Sequence, residues 1–387
     1  MTTAAIHQDT LQLAKRLIAC RSVTPDDGGA IQVVASRLAA SGFRCERIVR
    51  GNVRNLWARR GTKPPIICLA GHVDVVPPGP TERWTTDPFV AVERDGYLYG
   101  RGAADMKTSL AAMVTAAERI ALRLSPTRGS VAVLLTADEE GDAVDGTAAV
   151  VDTLRQRGVA IDACILGEPT SVERLGDTIK NGRRGSLSGT LRVHGTQCHI
   201  AYPERGRNPI HDALPALAAL STMVWDYGNG DFPPTSFQIS NVHAGTGAPN
   251  IIPGALEVQF NFRFSPESPA ETLQARVKQV LDAHAIDYAL EWTLSASPFL
   301  TPPGPLLDAL SAAVTRATGL TPRLSTGGGT SDGRFLTQVA REVVEFGPVN
   351  ESIHKIDERV ALGDIGPLST IFERTLATLL ALPEAVE

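Results

Sequence analysis

Hydrophobic positions along this chain fall into two rhythms. In the first part, short continuous apolar runs alternate with stretches of helical spacing. Residues 66–70 form an apolar run that leads into Gly71-His72-Val73-Asp74, and Pro77-Pro78-Gly79 then stops any regular element. Leu110, Val114, Ala117 and Ala121 recur at helical spacing, which predicts a helix from about 105 to 123. Residues 130–137 and 163–167 are further apolar runs, the second broken by Pro169. Continuous apolar strands separated by helices predict a parallel sheet covered on both faces.

The middle of the chain changes style. Residues 186–194 alternate apolar and polar, as do 235–243, 255–264 and 287–295, while 208–225 and 269–285 have helical spacing. The order β-α-β-β-α-β is the split-βαβ or ferredoxin-like pattern. After Pro302-Pro303-Gly304 the first style returns, with a helix to about 318, a strand at 342–346 and a helix at about 367–382. The expected architecture is therefore an α/β domain, residues 1–185 and 299–387, into which a ferredoxin-like α+β domain, residues 186–298, is inserted.

Composition narrows the class. A hydrophobic fraction of 43% with 20% charged residues excludes wholesale disorder. With 37 basic against 42 acidic residues the net charge is −5. Binding nucleic acid by phosphate neutralisation normally needs a basic protein, so no nucleic-acid partner is expected. No apolar run approaches the roughly 20 residues of a membrane span, and the N-terminal stretch lacks the basic start and apolar core of a signal peptide. The five cysteines, at 20, 45, 68, 164 and 198, form no CxxC pair. They suit a reducing compartment, so a cytoplasmic location is expected.

Acidic and imidazole side chains cluster where the apolar runs end, and in open α/β sheets ligands bind at the carboxyl ends of strands. His72 and Asp74 share one side if the strand continues, and a carboxylate near a ligating imidazole fixes its tautomer. Asp105 stands at the expected helix start, as an N-cap or a ligand. Asp138-Glu139-Glu140 is either a solvated acidic turn or a site whose repulsion a cation relieves. Glu168 ends another buried run, and His354 lies in the late segment Asn350-Glu351-Ser352-Ile353-His354. Taken together, two histidines and several carboxylates without clustered cysteine match a hydrolytic zinc site. Two metals need a bridging carboxylate and further ligands on each side. His72, Asp105, Glu140, Glu168 and His354 supply that number, and Glu139 is left as a base. Other chemistries fit less well: there is no GxSxG elbow, and Gly327-Gly328-Gly329-Thr330 lacks the GK[ST] ending of a phosphate loop.

With these motifs in order, the chain resembles the di-zinc aminoacylase/carboxypeptidase superfamily of metallopeptidases, and within it the desuccinylase branch. The carriers are GHVDVVPPG (71–79), DGYLYGRGAADMK (95–107), TADEEG (136–141), GEPTS (167–171), IKNGRRGSL (179–187), AYPERGRNPIHDAL (201–214), GGTSDGRF (328–335) and EFGPVNESIHK (345–355). The resemblance implies a di-zinc aminopeptidase-like catalytic domain whose inserted domain is a lid that forms a homodimer. It implies two Zn2+ per subunit, with Co2+ admitted in one position. His72, Asp105 and Glu168 would hold one ion, and Asp105, Glu140 and His354 the other, with Asp105 bridging. Asp74 would orient His72, Glu139 would be the general base, and His199 would reach from a second subunit to the oxygen of the scissile carbonyl. The implied substrate is N-succinyl-LL-2,6-diaminopimelate, cleaved to succinate and LL-2,6-diaminopimelate for lysine and diaminopimelate biosynthesis. Arg184 and Arg263 can clamp its carboxylates through planar forks, and the resemblance adds Asn250, Thr330 and Asn350 as polar contacts. The chain departs from the family at Cys198 and Thr108, where glycine is common. The rival readings are an acetylornithine deacetylase-like or other N-acyl-amino-acid amidohydrolase, and a non-catalytic binding protein on the same fold.

Overall fold

The structure is a computed structural model that describes residues 2–125 and 127–383. Contacts within the chain divide these residues into two units. The first comprises residues up to 182, 300–325 and 331 onward, and the second 183–299 with 326–330.

The first unit is built on an eight-stranded sheet. Its order is Arg44–Arg50, Val53–Arg60, Ser130–Thr136, Ile66–His72, Ile161–Leu166, Ala340–Glu345, Thr178–Lys180, Arg323–Ser325. The middle four strands run parallel. Every residue of Ser130–Thr136 is buried, and Ile161–Leu166 is nearly so, as expected of strands covered on both faces. The expectation of a wholly parallel sheet needs correction. The hairpin Arg44–Arg50/Val53–Arg60 pairs antiparallel and joins the sheet antiparallel to Ser130–Thr136. Arg44–Arg50 is mostly solvent-facing and charged, so it has no apolar run to announce it.

Four helices, Thr3–Ile18, Thr108–Arg123, Pro305–Thr318 and Leu362–Leu379, pack on one another in this unit. Thr2 caps the first of them, its Oγ1 accepting from the Ala5 amide at 3.3 Å. Leu110, Val114, Ala117 and Ile120 are fully buried on the second, and each large aliphatic burial contributes about 1.5–3 kcal/mol. Polar stitches cross the same helices: Thr115 meets Thr10 and Ser369, and the buried Arg119 Nε lies 2.6 Å from Glu373 Oε2. The last helix begins at Leu362 rather than near Pro367, which lies inside it. A proline reads as a start signal in sequence, but here packing of Ile365, Leu368 and Ile371 carries the helix past it.

The helix expected to open at Asp105 instead begins at Thr108. Asp105 and Met106 have non-helical backbone angles (φ −121°, ψ 92° and φ −133°, ψ 33°), so the segment Ala103–Lys107 is an irregular turn and Asp105 is not an N-cap.

The second unit keeps the β-α-β-β-α-β order. Gly185–His194, Ser236–Ala244, Ala255–Phe264 and Tyr288–Ala296 form an antiparallel sheet in which Gly185–His194 lies between Ala255–Phe264 and Tyr288–Ala296. The alternation in Ala255–Phe264 buries Leu256, Val258, Phe260, Phe262 and Phe264 on one face. The helices Pro209–Thr222 and Ala270–Ala283 cover that face, with Leu220, Leu273, Val277 and Leu281 fully buried. Asn208 caps the first helix by accepting from the Ile210 amide at 3.0 Å. Thr326–Thr330 joins this unit, and Thr326 Oγ1 donates to the Asp231 carbonyl at 2.6 Å.

Candidate metal centre and active site

Five segments of the first unit deliver the acidic and imidazole side chains to one place. The strand Ile66–His72 ends in His72, and its parallel neighbour Ile161–Leu166 runs out toward Glu168. The irregular turn that carries Asp105 packs against both. Gly71 and Gly167 make the approach feasible: a Cβ on either would fall 2.3 Å and 2.5 Å from Met106 Cε, inside any real contact. Met106 is fully buried, and the His72 amide points at its sulfur at 3.4 Å. The residue after Asp105 thus wedges against the glycines that precede His72 and Glu168.

Asp105 shares its two oxygens. Oδ1 lies 3.2 Å from His72 Nε2, and Oδ2 lies 3.5 Å from His354 Nε2. His354 Nε2 is also 3.0 Å from Glu140 Oε1. Donor atoms of His72, Asp105 and Glu168 all fall within 4.8 Å of one another, and so do those of Asp105, Glu140 and His354. Two three-residue groups with one carboxylate in common form the arrangement a pair of cations needs. His354 stands at φ 59°, the left-handed region that a non-glycine residue seldom adopts. Its loop is tied down by the Asn350 amide, which donates to the Ser171 carbonyl at 2.9 Å.

Asp74 meets His72 through its main chain and its carboxylate. His72 Nδ1 contacts the main-chain oxygen of Asp74 at 2.9 Å, whereas the carboxylate is 3.7 Å away. That carboxylate also accepts from the amides of Glu139 and Glu140, at 3.4 and 3.1 Å. It therefore fixes the acidic turn from which Glu140 joins the second group while Glu139 stays outside both. Asp138 is structural: its Oδ2 accepts from the amides of Val144 and Asp145. Glu139 lines a small pocket with His72, Glu168 and Asp332. Asp332 lies inside the GGTSDGRF motif, but nothing in a lone aspartate after Ser331 marks it in sequence as part of this pocket.

The electrostatics are those of a site built for cations. Burial, then the Glu168 charge, pushes the Glu139 carboxyl well above the ordinary carboxylate range. Burial also raises Asp332, to about 6. Hydrogen bonds to Asp105 and Glu140 raise His354 to about 10. Burial alone would lower His72, but Asp105 and the surrounding carboxylates carry it well above its usual value. Burial raises the carboxyls of Glu139 and Asp332, and neighbouring carboxylates raise the imidazoles. Divalent cations would reverse each shift. The all-nitrogen-and-oxygen donor set suits zinc and related divalent ions.

The remaining candidates lie in the second unit, with one exception. His199 is exposed on the short strand Cys198–His199, paired to Ile251–Ile252. Its Nδ1 accepts from the Ala201 amide at 3.0 Å, which leaves Nε2 as the donor. Asn250 adjoins it, its carbonyl accepting from the Ile200 amide at 3.0 Å. Cys198 turns its sulfur toward the Tyr202 carbonyl at 3.5 Å. Arg184 has its guanidinium near Pro234 O and Ser236 Oγ at 3.4 and 3.5 Å, and Arg263 opposes Ser236 in the neighbouring strand. Thr330 belongs to this unit as well. Asn350 is the exception, sharing the His354 loop of the first unit.

The family model for "Peptidase family M20/M25/M40" matches residues 68–378, a span that holds every residue of the two groups. The succinyl-diaminopimelate desuccinylase of Thiobacillus denitrificans is 59% identical over 97% of this chain and 96% of its own. That of Nitrosomonas europaea is 57% identical over 97% of this chain and 100% of its own. Among solved structures, an M20 family metallo-carboxypeptidase from Sulfolobus solfataricus superposes with a TM-score of 0.81 at 17% identity, covering 97% of this chain and all of that one. A dinuclear metal-binding peptidase of the M20 family from Bacillus subtilis gives a TM-score of 0.74 at 16% identity, covering 98% and 99%. The α/β fold with its ferredoxin-like unit is thus the M20 peptidase fold, and the chain belongs to peptidase family M20/M25/M40.

Proposed function

We propose that this chain is a metal-dependent amide hydrolase that converts N-succinyl-LL-2,6-diaminopimelate to succinate and LL-2,6-diaminopimelate. The observation that carries the substrate is identity of 56–59% over nearly the full length to relatives named succinyl-diaminopimelate desuccinylase. The convergence of His72, Asp105, Glu140, Glu168 and His354 supports the reaction type. His72, Asp105 and Glu168 would hold one divalent ion, and Asp105, Glu140 and His354 the second; we infer zinc, with cobalt accepted in one position. When bound, the ions neutralise the carboxylates, polarise a carbonyl and bring the pKa of water toward neutrality.

The protein's own residues do the rest. Glu139, outside both ligand groups, takes a proton from water as its oxygen attacks the succinyl carbonyl carbon. The carbon–nitrogen bond then breaks, and Glu139 returns that proton to the leaving amine. Asp74 orients His72, and its carboxylate accepts from the amides of Glu139 and Glu140. His199 Nε2–H, supplied by the lid of a second copy in a homodimer, donates to the oxyanion. Arg184 and Arg263 receive substrate carboxylates, with Asn250, Thr330 and Asn350 as polar contacts.

Parallel assays test the substrate. N-succinyl-LL-diaminopimelate should be hydrolysed with kcat/KM about 10²-fold or more above N-acetylornithine, because unpaired Arg forks penalise a ligand that lacks the carboxylate. Chelation should stop the reaction and added zinc restore it. Equal rates on both substrates would favour a general N-acyl-amino-acid amidohydrolase. A second test concerns the subunits. Mixing inactive His199→Ala and Glu139→Ala proteins should restore part of the activity, since some heterodimers contain one intact site. No recovery, with subunit exchange verified, would remove His199 of a second copy from the mechanism.

A further inference from the structure

Glu358 lies just beyond the last motif noted in the sequence, and its side chain is 1% exposed. Its carboxylate takes four hydrogen bonds. Oε2 accepts from Arg101 Nη1 at 2.7 Å and from the Gly102 amide at 2.9 Å. Oε1 accepts from the amides of Ala104 and Asp105, each at 2.9 Å. Those amides belong to the irregular turn, where no helix supplies carbonyl partners. A buried ion pair by itself adds little stability compared with well-packed apolar residues. What this carboxylate supplies, and a leucine cannot, is direction: it points at successive N–H groups of the turn that carries Asp105.

The same pair reaches the other ligand loop. Arg101 Nη1 also donates to the Lys355 carbonyl at 3.1 Å, and the Gly100 amide donates to the Glu358 carbonyl at 3.0 Å. Lys355 follows His354 directly. The Arg101 guanidinium rests over the Trp84 ring at 5.1 Å, and Trp84 is itself fixed by Nε1 donating to Pro78 O at 2.9 Å. Two segments far apart in sequence are thereby clamped together beside the point where Asp105 Oδ2 and His354 Nε2 meet. Metal distances tolerate only about 0.2 Å of error, so the clamp sits where error matters most.

We propose that Glu358, with Arg101, is a positioning pair that sets Asp105 against His354 and thereby tunes the cation held by Asp105, Glu140 and His354. The inference rests on the metal reading above. Glu358→Gln tests it, because the amide keeps the shape but turns a donor toward Arg101 and the Gly102 amide. Glu373→Gln is the control, since Glu373 forms an equally short ion pair with Arg119 among helices away from the ligands. Zn2+ binding to the full-length proteins is measured by equilibrium dialysis, and Co2+ binding by visible absorption. The parent should bind two ions per chain. Glu358→Gln should keep one at near-parental affinity and bind the other about 10–100-fold more weakly, with activity recovering as free zinc is raised. Glu373→Gln should bind both as the parent does, even where its melting temperature falls. Should Glu358→Gln not fold, Arg101→Lys serves, and its second ion should weaken by about tenfold. Unchanged affinity in the folded variant, or an equal loss in the control, overturns the clamp alone. A parent that binds fewer than two ions overturns the metal reading and takes the clamp with it.

Discussion

Replacing Glu139 with alanine should reduce kcat by about 10³-fold or more while two metal ions per chain remain bound. General-base catalysis is worth about 10²–10⁴, and 10³ corresponds to about 4 kcal/mol of barrier. The separation of the two effects follows from geometry. Glu139 belongs to neither group of donors, and the amide that Asp74 grips is unchanged by truncating the side chain. Metal analysis and steady-state rates on the same preparation decide the matter. Substantial residual activity would show that another group moves the proton, and Asp332, which lines the same pocket, would be the next residue to vary. Loss of metal along with activity would show that Glu139 is a ligand instead.

The second large effect concerns Asp105. Exchange for asparagine should cut the metal content to less than one ion per chain at zinc levels that saturate the parent, and reduce kcat/KM by at least about 10²-fold. Glu140→Gln should remove one ion only. Asp105 is the single residue common to both groups, one oxygen toward His72 and one toward His354. An asparagine has one acceptor oxygen and must present an NH2 group to the other cation. Its neutral side chain also leaves two divalent charges short of an anion. If Asp105→Asn kept both ions and most of its activity, the bridging role would be untenable.

Much of this molecule is legible in its chain. Apolar runs at 66–70, 130–137 and 163–167 identify strands of the central sheet, because strands covered on both faces must be apolar throughout. Alternation at 255–264 identifies a half-covered strand for the opposite reason. The mostly exposed hairpin strand Arg44–Arg50 escaped, since it buries too little to leave a pattern. The candidate ligands could be named from their residue types and their position at strand ends. Their sharing could not: a spacing of 33 positions between His72 and Asp105, or 214 between Glu140 and His354, has no periodicity to read.

Local sequence rules even mislead at Asp105, which has the position of an N-cap and a non-helical backbone that places it in both groups of donors. Amides of that turn donate to the carboxylate of Glu358, whose bond to the Ala104 amide spans 254 positions. The division of labour around Asp74 is of the same kind, its carbonyl serving His72 and its carboxylate the acidic turn. The sequence by itself determined which elements form and which side chains can ligate, because burial and residue chemistry are local properties. Only the tertiary structure decided which carboxylate is common to both groups of donors, which stays outside them, and what joins their segments. Those depend on hydrogen bonds between distant segments, directional within a few tenths of an ångström, that no local pattern encodes.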